Sequence, residues 1–283
     1  MKDLRNSDEA VVGIVVTVLL IGLALSVVIM INTAFVPQWL EEAEAAHMEE
    51  VSSQFSQLKY ATDLQATLRQ RTAISSSIRL GISNLPILSS GKTFGSLGIS
   101  ENECDISIEH ETGFLNFTVG NIKFSSGNSY FVRQDYILES GALIVAQHPN
   151  SMLMGKPLFL AGYAEPPFDG RITFTVINTT TSLDKSFVSG HSTYPIHTEF
   201  ITSDPYPNLN LSKITVISDY PNAWQAVFES TLKRSDNPYN ADLVSVSGNM
   251  VLVDFNEYEG SGSTVCDIRY VEILAQIAPG WIE

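Results

Sequence analysis

The chain is short of cysteine, of basic residues and of charge in general. It has two cysteines, Cys104 and Cys266, in 283 residues, which is too few for a disulfide-dense scaffold or a four-cysteine zinc site. Sixteen lysines and arginines against 31 acidic residues give a net charge of −15, so a nucleic acid would repel the chain. Charged residues make up 17% of the chain and hydrophobic residues 44%, which excludes a largely disordered protein.

One uncharged segment near the N-terminus dominates the sequence. Residues 10–31 carry no charge, and Thr17 and Ser26 are their only polar side chains. As an α-helix rising ~1.5 Å per residue they would span roughly 33 Å, which is enough to cross a hydrocarbon core of ~30 Å. The sequence therefore predicts a transmembrane helix at residues 10–31, preceded by a charged cytoplasmic leader at residues 1–9.

Basic residues flank this segment on one side only. Lys2 and Arg5 precede it, and no lysine or arginine follows until Lys59. Because basic residues are retained on the cytoplasmic side, we expect a cytoplasmic N-terminus and an extracellular C-terminal domain. A cleaved secretory signal is the alternative interpretation, but its apolar region is typically ~7–15 residues, shorter than the run found here.

Residues 32–74 predict an amphipathic stalk helix. Glutamates, among them Glu44, cover much of its surface and are expected to face solvent. Pro37 should kink or locally open the helix, and Trp39 has the position of an interfacial aromatic residue. The helix also carries one mainly apolar stripe. This stripe must pack against the chain's own outer domain or against other copies, and the sequence leaves both open. Its members recur at spacings of three and four: Leu40, Ala43, His47, Val51, Phe55, Leu58 and Thr62.

Residues 75–283 predict an extracellular β-rich domain. Glycines, prolines and β-forming residues alternate there with turn signals, which favours a mainly antiparallel β-sandwich-like or partly closed barrel domain. One amphipathic helix is expected at residues 221–234, so the predicted fold class is α+β. The strand candidates are residues 104–109, 113–119, 130–138, 142–147, 171–178, 213–218, 242–247, 250–255 and 264–273.

Two kinds of covalent modification are candidates in this outer domain. Cys104 and Cys266 both lie in predicted strands, and a disulfide between them would close a loop of roughly 160 residues and stabilise the fold by ~4–5 kcal/mol. Two buried free thiols are the alternative. Sequons at Asn116, Asn178 and Asn210 are candidate N-glycosylation sites on an extracellular surface.

Residues 8–14 read DEAVVGI and lead directly into the apolar run. This arrangement resembles the N-terminus of archaeal type IV pilin-like (archaellin-like) proteins. The resemblance implies that a prepilin-type leader peptidase cuts between Glu9 and Ala10 on the cytoplasmic side, and that the apolar helix is kept as the core of a filament. Ile14 stands where bacterial pilins carry a glutamate, which archaeal members commonly lack.

The resemblance sets the expected function. Copies of the chain, or other pilin-like subunits, would associate through residues 10–60, in contact with membrane lipid before assembly. Gly13 and Gly22 would allow close helix packing, although glycine is also simply frequent in membrane helices. The outer domain would serve surface contact or adhesion.

A second interpretation is a permanently anchored, single-span extracellular binding or adhesion domain that does not polymerise. The sequence supplies no complete nucleophile–base or metal-ligand motif, so we expect no enzymatic activity, no metal and no cofactor.

Overall fold

The fold of this computed structural model is α+β, as predicted, with one long N-terminal helix followed by a mostly β domain. Helix α1 is Lys2–Met30 and α2 is Val36–Leu68, and a π-helical turn at Ile31–Phe35 joins them. A third helix, α3, is Pro221–Leu232. The structure describes residues 2–82, 92–165, 168–181, 185–234, 238–239, 241–257 and 263–277, with side chains from residue 11 onward except that of residue 241.

The π-helical turn lies directly before Pro37. Proline has no amide hydrogen, and its ring clashes with the carbonyl four residues earlier, so regular α-geometry is disfavoured at this point. A π turn relieves the conflict by adding a residue to the turn: the amide of Val36 donates to the carbonyl of Ile31, five residues back. The structure therefore places the local opening of the helix at Ile31–Phe35.

The β domain is built on one hydrogen-bonded sheet. The strands before residue 165 are β1 (Ile74–Arg79), β2 (Gly95–His110), β3 (Gly113–Ser126), β4 (Asp135–Glu139), β5 (Ala142–Gln147), β6 (Asn150–Gly155) and β7 (Phe159–Tyr163). Those after it are β8 (Phe168–Thr181), β9 (Phe187–Gly190), β10 (Thr193–Ile217), β11 (Val244–Ser247), β12 (Met250–Asp254) and β13 (Ser263–Ile277).

Strand β10 is the organising strand of the sheet. The main order is β6-β5-β4-β3-β2-β10-β13-β8-β7, and β1 and β12 also pair with β10, β11 with β12 and β9 with β2. Strands β8 and β13 run parallel, so the sheet is mixed, while the other described pairs are antiparallel.

Strands β4 and β5 are buried on both faces. Ile137 and Ile144 belong to the apolar core that contains α3, whereas the alternate residues Leu138, Leu143 and Val145 belong to the core that contains α2. Side chains of a strand alternate between faces, so a strand covered on both sides reads as a continuous apolar run. The sheet at this point is thus a layer between two helices.

Helix α3 begins with Pro221, which suits a first helical turn because the missing amide hydrogen has no partner there. Its buried side chains include Trp224, Val227, Phe228 and Leu232, the same four that the 3.6-residue spacing indicates. The helix ends at Leu232, two residues earlier than expected from the sequence.

The strand expected at residues 130–138 begins only at Asp135. The amides of Ser129, Tyr130 and Phe131 bind the carboxylate of Glu44 instead of a neighbouring strand, and this removes the segment from the sheet. Strand β10 is much longer than the strand predicted at residues 213–218, because Pro195 and other prolines argue against a strand in the sequence but lie within it in the structure.

Candidate functional site on the long helix

The continuous helix changes from fully exposed to docked along its length. Its most apolar window has a mean hydropathy of 3.1 and none of it is buried, so the helix is long and apolar enough to cross a membrane. Leu19 is 67% exposed and Leu25 is 56% exposed. In α2, by contrast, Val51, Phe55 and Leu58 are completely buried.

The polar side chains of α1 between residues 11 and 30, Thr17 and Ser26, are satisfied within the helix. The hydroxyl of Thr17 donates to the carbonyl of Gly13, and that of Ser26 donates to the carbonyl of Gly22, both at 2.8 Å. Such bonds remove the cost of placing a hydroxyl in hydrocarbon. Open space surrounds both glycines, since a Cβ at either would meet no atom within 4 Å.

The apolar stripe of α2 packs against the chain's own β domain. The ring of Phe55 lies 6.4 Å from that of Phe124 and 5.9 Å from that of Tyr136, measured between centroids. The hydroxyl of Tyr136 donates to the carbonyl of Met48 at 3.3 Å. We call this set the docked stripe: Leu40, His47, Met48, Val51, Phe55, Leu58, Thr62 and Ala66.

Glu44 is a buried part of this contact, and the prediction that it faces solvent is wrong. Its side chain is 1% exposed. One carboxylate oxygen accepts the amides of Ser129, Tyr130 and Phe131 at 3.1, 2.8 and 2.7 Å, and the other accepts that of Ser129 at 3.1 Å. Consecutive amides converging on a carboxylate form a nest for negative charge.

His47 and Gln54 bind the end of β1. Nε2 of His47 lies 3.0 Å from the carbonyl oxygen of Arg79 and so donates to it. Oε1 of Gln54 accepts the amide of Arg79 at 2.9 Å, and the Arg79 guanidinium forms a 3.1 Å ion pair with Glu50. Burial lowers the pKa of His47, although its hydrogen bond to the Arg79 carbonyl acts in the opposite direction. The lowered pKa keeps the imidazole neutral at neutral pH.

The upper end of α2 is held by an amide side chain. Nε2 of Gln65 donates to the carbonyls of Thr72 and Thr198 at 2.9 and 2.8 Å. The helix then ends at Arg69, which adopts a left-handed conformation with φ of 54° and donates its amide to the carbonyl of Gln65. Hydrogen bonds therefore fix α2 to the β domain at its bottom, middle and top.

A second buried polar cluster lies under α3. Glu139 is completely buried, and its Oε1 accepts the Ser218 hydroxyl at 2.6 Å and the Trp224 indole N–H at 2.7 Å. Burial raises the pKa of this carboxyl, while these two hydrogen bonds act in the opposite direction. Burial and the neighbouring Glu139 together raise the pKa of the Cys104 thiol. Because the cluster is enclosed, it stabilises the packing of α3 and does not face a surface where a substrate could bind.

The predicted bridge between Cys104 and Cys266 is absent, and both residues are buried free thiols. Asp105, the neighbour of Cys104, lies opposite Ile217 of β10, whereas Cys266 lies opposite Leu209 of the same strand. The two cysteines are therefore about nine residues apart along β10, which is roughly 30 Å at ~3.3 Å per residue and far beyond the ~7 Å between Cα atoms that a disulfide allows.

The three sequons differ in accessibility. Asn116 is exposed on β3, and its side-chain oxygen accepts the hydroxyl of Ser107. Asn178 is half-buried and uses both ends of its amide, donating to the Tyr270 hydroxyl and accepting the amide of Gly120. The side-chain nitrogen of Asn210 donates to Glu111. Asn116 is thus the site at which a glycan would disturb the fold least.

The remaining predicted positions lie on the long helix. Glu9 and Ala10 fall within the helical backbone of α1, but their side chains are outside the described set.

Comparison with family models, with curated proteins and with solved structures finds no match to this chain. Its function must therefore be inferred from its own residues.

Two of the depressions on the described surface lie beside α2 and beside Lys123. A groove of about 860 Å³ runs between α2 and β1, beside Glu49, Gln57 and Tyr60. A polar cleft of about 410 Å³ contains the 3.1 Å ion pair between Lys123 and Asp135. Within the part of the chain that the structure describes, no three histidine, cysteine, aspartate or glutamate residues are grouped to hold a metal ion.

Proposed function

We propose that this chain is a single-span surface protein of the archaeal type IV pilin-like class. Residues 10–31 hold it in the membrane and associate with other subunits, and the β domain forms a head outside the membrane, to which α2 is docked. The observation that carries the proposal is the abrupt change along one continuous helix, from a fully exposed apolar half to a docked half.

The exposed half cannot remain in water. Its large apolar side chains, among them Leu19, Leu20 and Leu23, are more than 60% exposed. At ~25 cal/mol per Å² of apolar surface, covering such a helix is worth on the order of 20 kcal/mol. Either lipid or a bundle of identical helices can supply that cover, which is why a membrane precursor and a filament subunit can share one structure.

The proposal includes the direction of the chain and its processing. Lys2 and Arg5 favour a cytoplasmic N-terminus, which places the head outside. The resemblance of residues 8–14 to archaeal pilin-like leaders supports cleavage between Glu9 and Ala10 by a prepilin-type peptidase. We assign the head a role in surface contact or adhesion and no catalytic activity. That the strands of the β domain close into a sandwich stays a prediction from the spacing of turn signals in the sequence.

The docked stripe narrows the surface that is left for association. The sequence predicts contacts between copies through residues 10–60, but Val51, Phe55 and Leu58 already pack against the head of the same chain. Contacts between copies would therefore be made by residues 10–31 and by the outer side of α2. Gly13 and Gly22, which have open space around them, suit close approach of neighbouring helices.

The same docking favours a second candidate function, a permanently anchored surface domain that does not polymerise. In that case α1 serves as a membrane anchor alone. Glu44, His47 and Gln65 fix the head to the helix by specific hydrogen bonds, and this geometry is complete without a neighbouring subunit.

Fractionation of the native protein with N-terminal sequencing tests both candidates. Chains that begin at Ala10 and are recovered in sheared extracellular filaments would support the filament subunit. Uncut chains confined to the membrane fraction would contradict the filament proposal and support the permanent anchor. Recovery of the intact chain from the soluble cytosolic fraction would contradict both.

A further inference from the structure

Strand β1 is an edge strand, because β10 is its only partner among the described strands. In an antiparallel pair, residues that bond to the partner strand alternate with residues whose amide and carbonyl point away from it. The amide of Leu80, just beyond β1, donates to the carbonyl of Ser192 opposite it at 3.0 Å. By the same alternation, Ser75, Ser77 and Arg79 direct their backbone groups away from β10.

Helix α2 occupies one end of this free edge. The amide of Arg79 donates to Oε1 of Gln54 at 2.9 Å, and its carbonyl oxygen accepts from Nε2 of His47 at 3.0 Å. The free edge of β1 therefore faces α2. The amides and carbonyls of Ser75 and Ser77 point the same way, and no described residue forms a hydrogen bond with them from that side. These backbone groups are available to a further strand.

An open groove lies beside these unpaired groups. It has a volume of about 860 Å³, and its walls are β1 from Ile74 to Ser77 and one face of α2 from Ala46 to Leu64. The 18 steps from residue 46 to residue 64 make the helical wall about 27 Å long, at ~1.5 Å per residue. Because an extended chain rises ~3.3 Å per residue, a peptide of about eight residues fits along this wall.

The walls of the groove suit a strand better than a compact ligand. A strand that adds to a sheet edge gains affinity from main-chain hydrogen bonds and specificity from contacts with its side chains. Ser75 and Ser77 have small, exposed side chains, so they do not block an approaching backbone. On the helical wall, Tyr60 is 69% exposed and offers a ring for an apolar side chain of the peptide, and Gln57 is exposed beside it.

The charge of the groove indicates which kind of peptide it takes. Among its described lining residues, the charged ones are Glu49 and Glu50, both on α2. Glu50 is compensated by its 3.1 Å ion pair with Arg79, whereas Glu49 is exposed and has no ion pair within the described part of the chain. The net charge of −15 also attracts cationic segments. A lysine or arginine in the bound strand would complement Glu49.

Segments of the chain itself suit this groove less well. Strand β13 ends at Ile277 beside β10, and residues 278–283 that follow it carry one glutamate and no basic residue. A second copy would bring another net charge of −15 toward Glu49. Charge complementarity therefore favours a segment of a different protein.

We propose that the groove between α2 and β1 is a strand-addition site for an extended, basic peptide segment of another protein. The peptide pairs with the amides and carbonyls of Ser75 and Ser77, and it places a lysine or arginine beside Glu49. This inference goes beyond the proposed function, since the groove has the same walls in a filament subunit and in a permanent anchor.

The first experiment selects a peptide with the full chain in detergent micelles. A random octapeptide library is selected on the immobilised chain, and one enriched peptide is synthesised with a fluorescent label for anisotropy titrations. Enriched peptides should carry lysine or arginine and should lack proline, which cannot donate to a ladder. No enrichment over empty micelles, or enrichment of acidic peptides, would overturn the proposal.

Methylation of the peptide backbone tests strand pairing without any change to the protein. One version of the enriched peptide is methylated at its odd-numbered amides and another at its even-numbered amides. Because only alternate amides of a strand face its neighbour, one version should lose at least about tenfold more affinity than the other. Equal losses for the two versions would contradict strand pairing.

Proline at Ser77 is the corresponding change in the protein. Ser77→Pro removes an amide hydrogen that points away from β10, at an edge position where proline is tolerated, so the fold should persist. It should weaken peptide binding by about tenfold, whereas Ser77→Ala keeps the amide and should stay within about twofold. Equal binding by the two variants would overturn the proposal, and circular dichroism checks that both are folded.

Neutralising Glu49 tests the charge preference. Glu49→Gln should weaken binding by about threefold at low salt and by less at high salt, because an exposed charge pair is screened. Glu41→Gln, an exposed glutamate outside the groove lining, is the matched control and should bind as the parent does. Equal affinities for Glu49→Gln and Glu41→Gln would show that the peptide does not place its basic residue at Glu49.

Amide hydrogen exchange identifies what occupies the groove. In the chain alone the amides of Ser75 and Ser77 should exchange rapidly, and addition of the peptide should protect them. Protection before any peptide is added, if it disappears on dilution, would mean that a second copy fills the groove. Protection that persists on dilution would mean that the chain's own residues fill it. Either result would overturn the proposal and leave the membrane span and its processing untouched.

Discussion

Removing the Glu44 carboxylate should loosen the head from the helix. In Glu44→Ala the amides of Ser129, Tyr130 and Phe131 lose their acceptor in a site where the glutamate was 1% exposed. Each unsatisfied buried donor costs about 1–3 kcal/mol, and partial access of water to the emptied site reduces the total, so we expect a loss of about 3–5 kcal/mol in the free energy of unfolding. For a domain of this size that corresponds to a fall of roughly 10 °C in Tm.

A conservative variant separates charge from geometry. Glu44→Gln keeps one oxygen, which can still accept the amides of Tyr130 and Phe131, but it loses the charge. Hydrogen bonds to charged groups are worth about 1.5–3 kcal/mol and neutral ones about 0.5–1.5 kcal/mol. We therefore expect Glu44→Gln to fall between the parent chain and Glu44→Ala. Glu41→Ala, three residues away and exposed, is the matched control and should stay within about 0.5 kcal/mol of the parent.

The assay is urea unfolding of the full chain in detergent micelles, followed by circular dichroism, together with amide hydrogen exchange. In the parent chain the amides at residues 129–131 should be protected, and in Glu44→Ala they should exchange at the rate of an open loop. If Glu44→Ala and Glu41→Ala unfold at the same urea concentration and exchange these amides equally fast, the nest does not hold the head to the helix.

Three further predictions follow from buried groups. Because burial raises the pKa of Glu139 above its usual 4.5, the unfolded chain gives up this proton at lower pH than the folded chain, so stability should fall as pH rises from about 4.5 through the raised pKa. Glu139→Gln should remove this slope in urea titrations at pH 4–9; an unchanged slope would contradict it. Phe55→Ala should cost about 3–5 kcal/mol in the same unfolding assay, whereas Tyr60→Ala, 69% exposed, should cost under about 0.5 kcal/mol. Cys104 and Cys266 should react with a thiol reagent only after denaturation, without prior reduction, and a disulfide in the native mass spectrum would show this to be wrong.

The periodic parts of the chain could be predicted from sequence, because periodicity directly reports which side is buried. The stripe through Val51, Phe55 and Leu58 repeats at helical spacing, and the apolar run at residues 10–31 is uncharged over the length of a membrane span; the structure has helix at both. Strand β5 matches its predicted bounds, since the turn residues Ser140 and Gly141 limit it sharply at one end.

The parts that could not be predicted depend on partners that are distant in the chain. Glu44 is one glutamate among several on α2, and only the amides at residues 129–131, some 85 residues later, make it a buried group. The segment at Tyr130 has β-forming residues, but its amides are used by that carboxylate. Pro195 argues against a strand in the sequence, and only the distant partner Ser77 of β1 shows that it lies in the sheet.

Candidate covalent links are the clearest case of this limit. Spacing in the sequence does not show whether Cys104 and Cys266 meet, and the register of β10 places them far apart. For the same reason, a sequon does not show that the side-chain amide of Asn178 is already hydrogen-bonded to Tyr270 and Gly120.

The hydrogen bonds of Gln65 to the strand that contains Thr198 have a consequence for biogenesis. The two residues are 133 positions apart, so α2 leaves the ribosome long before the strand that covers its upper end exists. At ~5–20 residues per second the delay is roughly 7–27 s. In the proposed single-span topology α1 has by then entered the membrane, while the apolar face of α2 beside it is not yet covered. A cell that makes this protein must shield that face, and a chain stalled in synthesis before β10 would be a target for quality-control proteases.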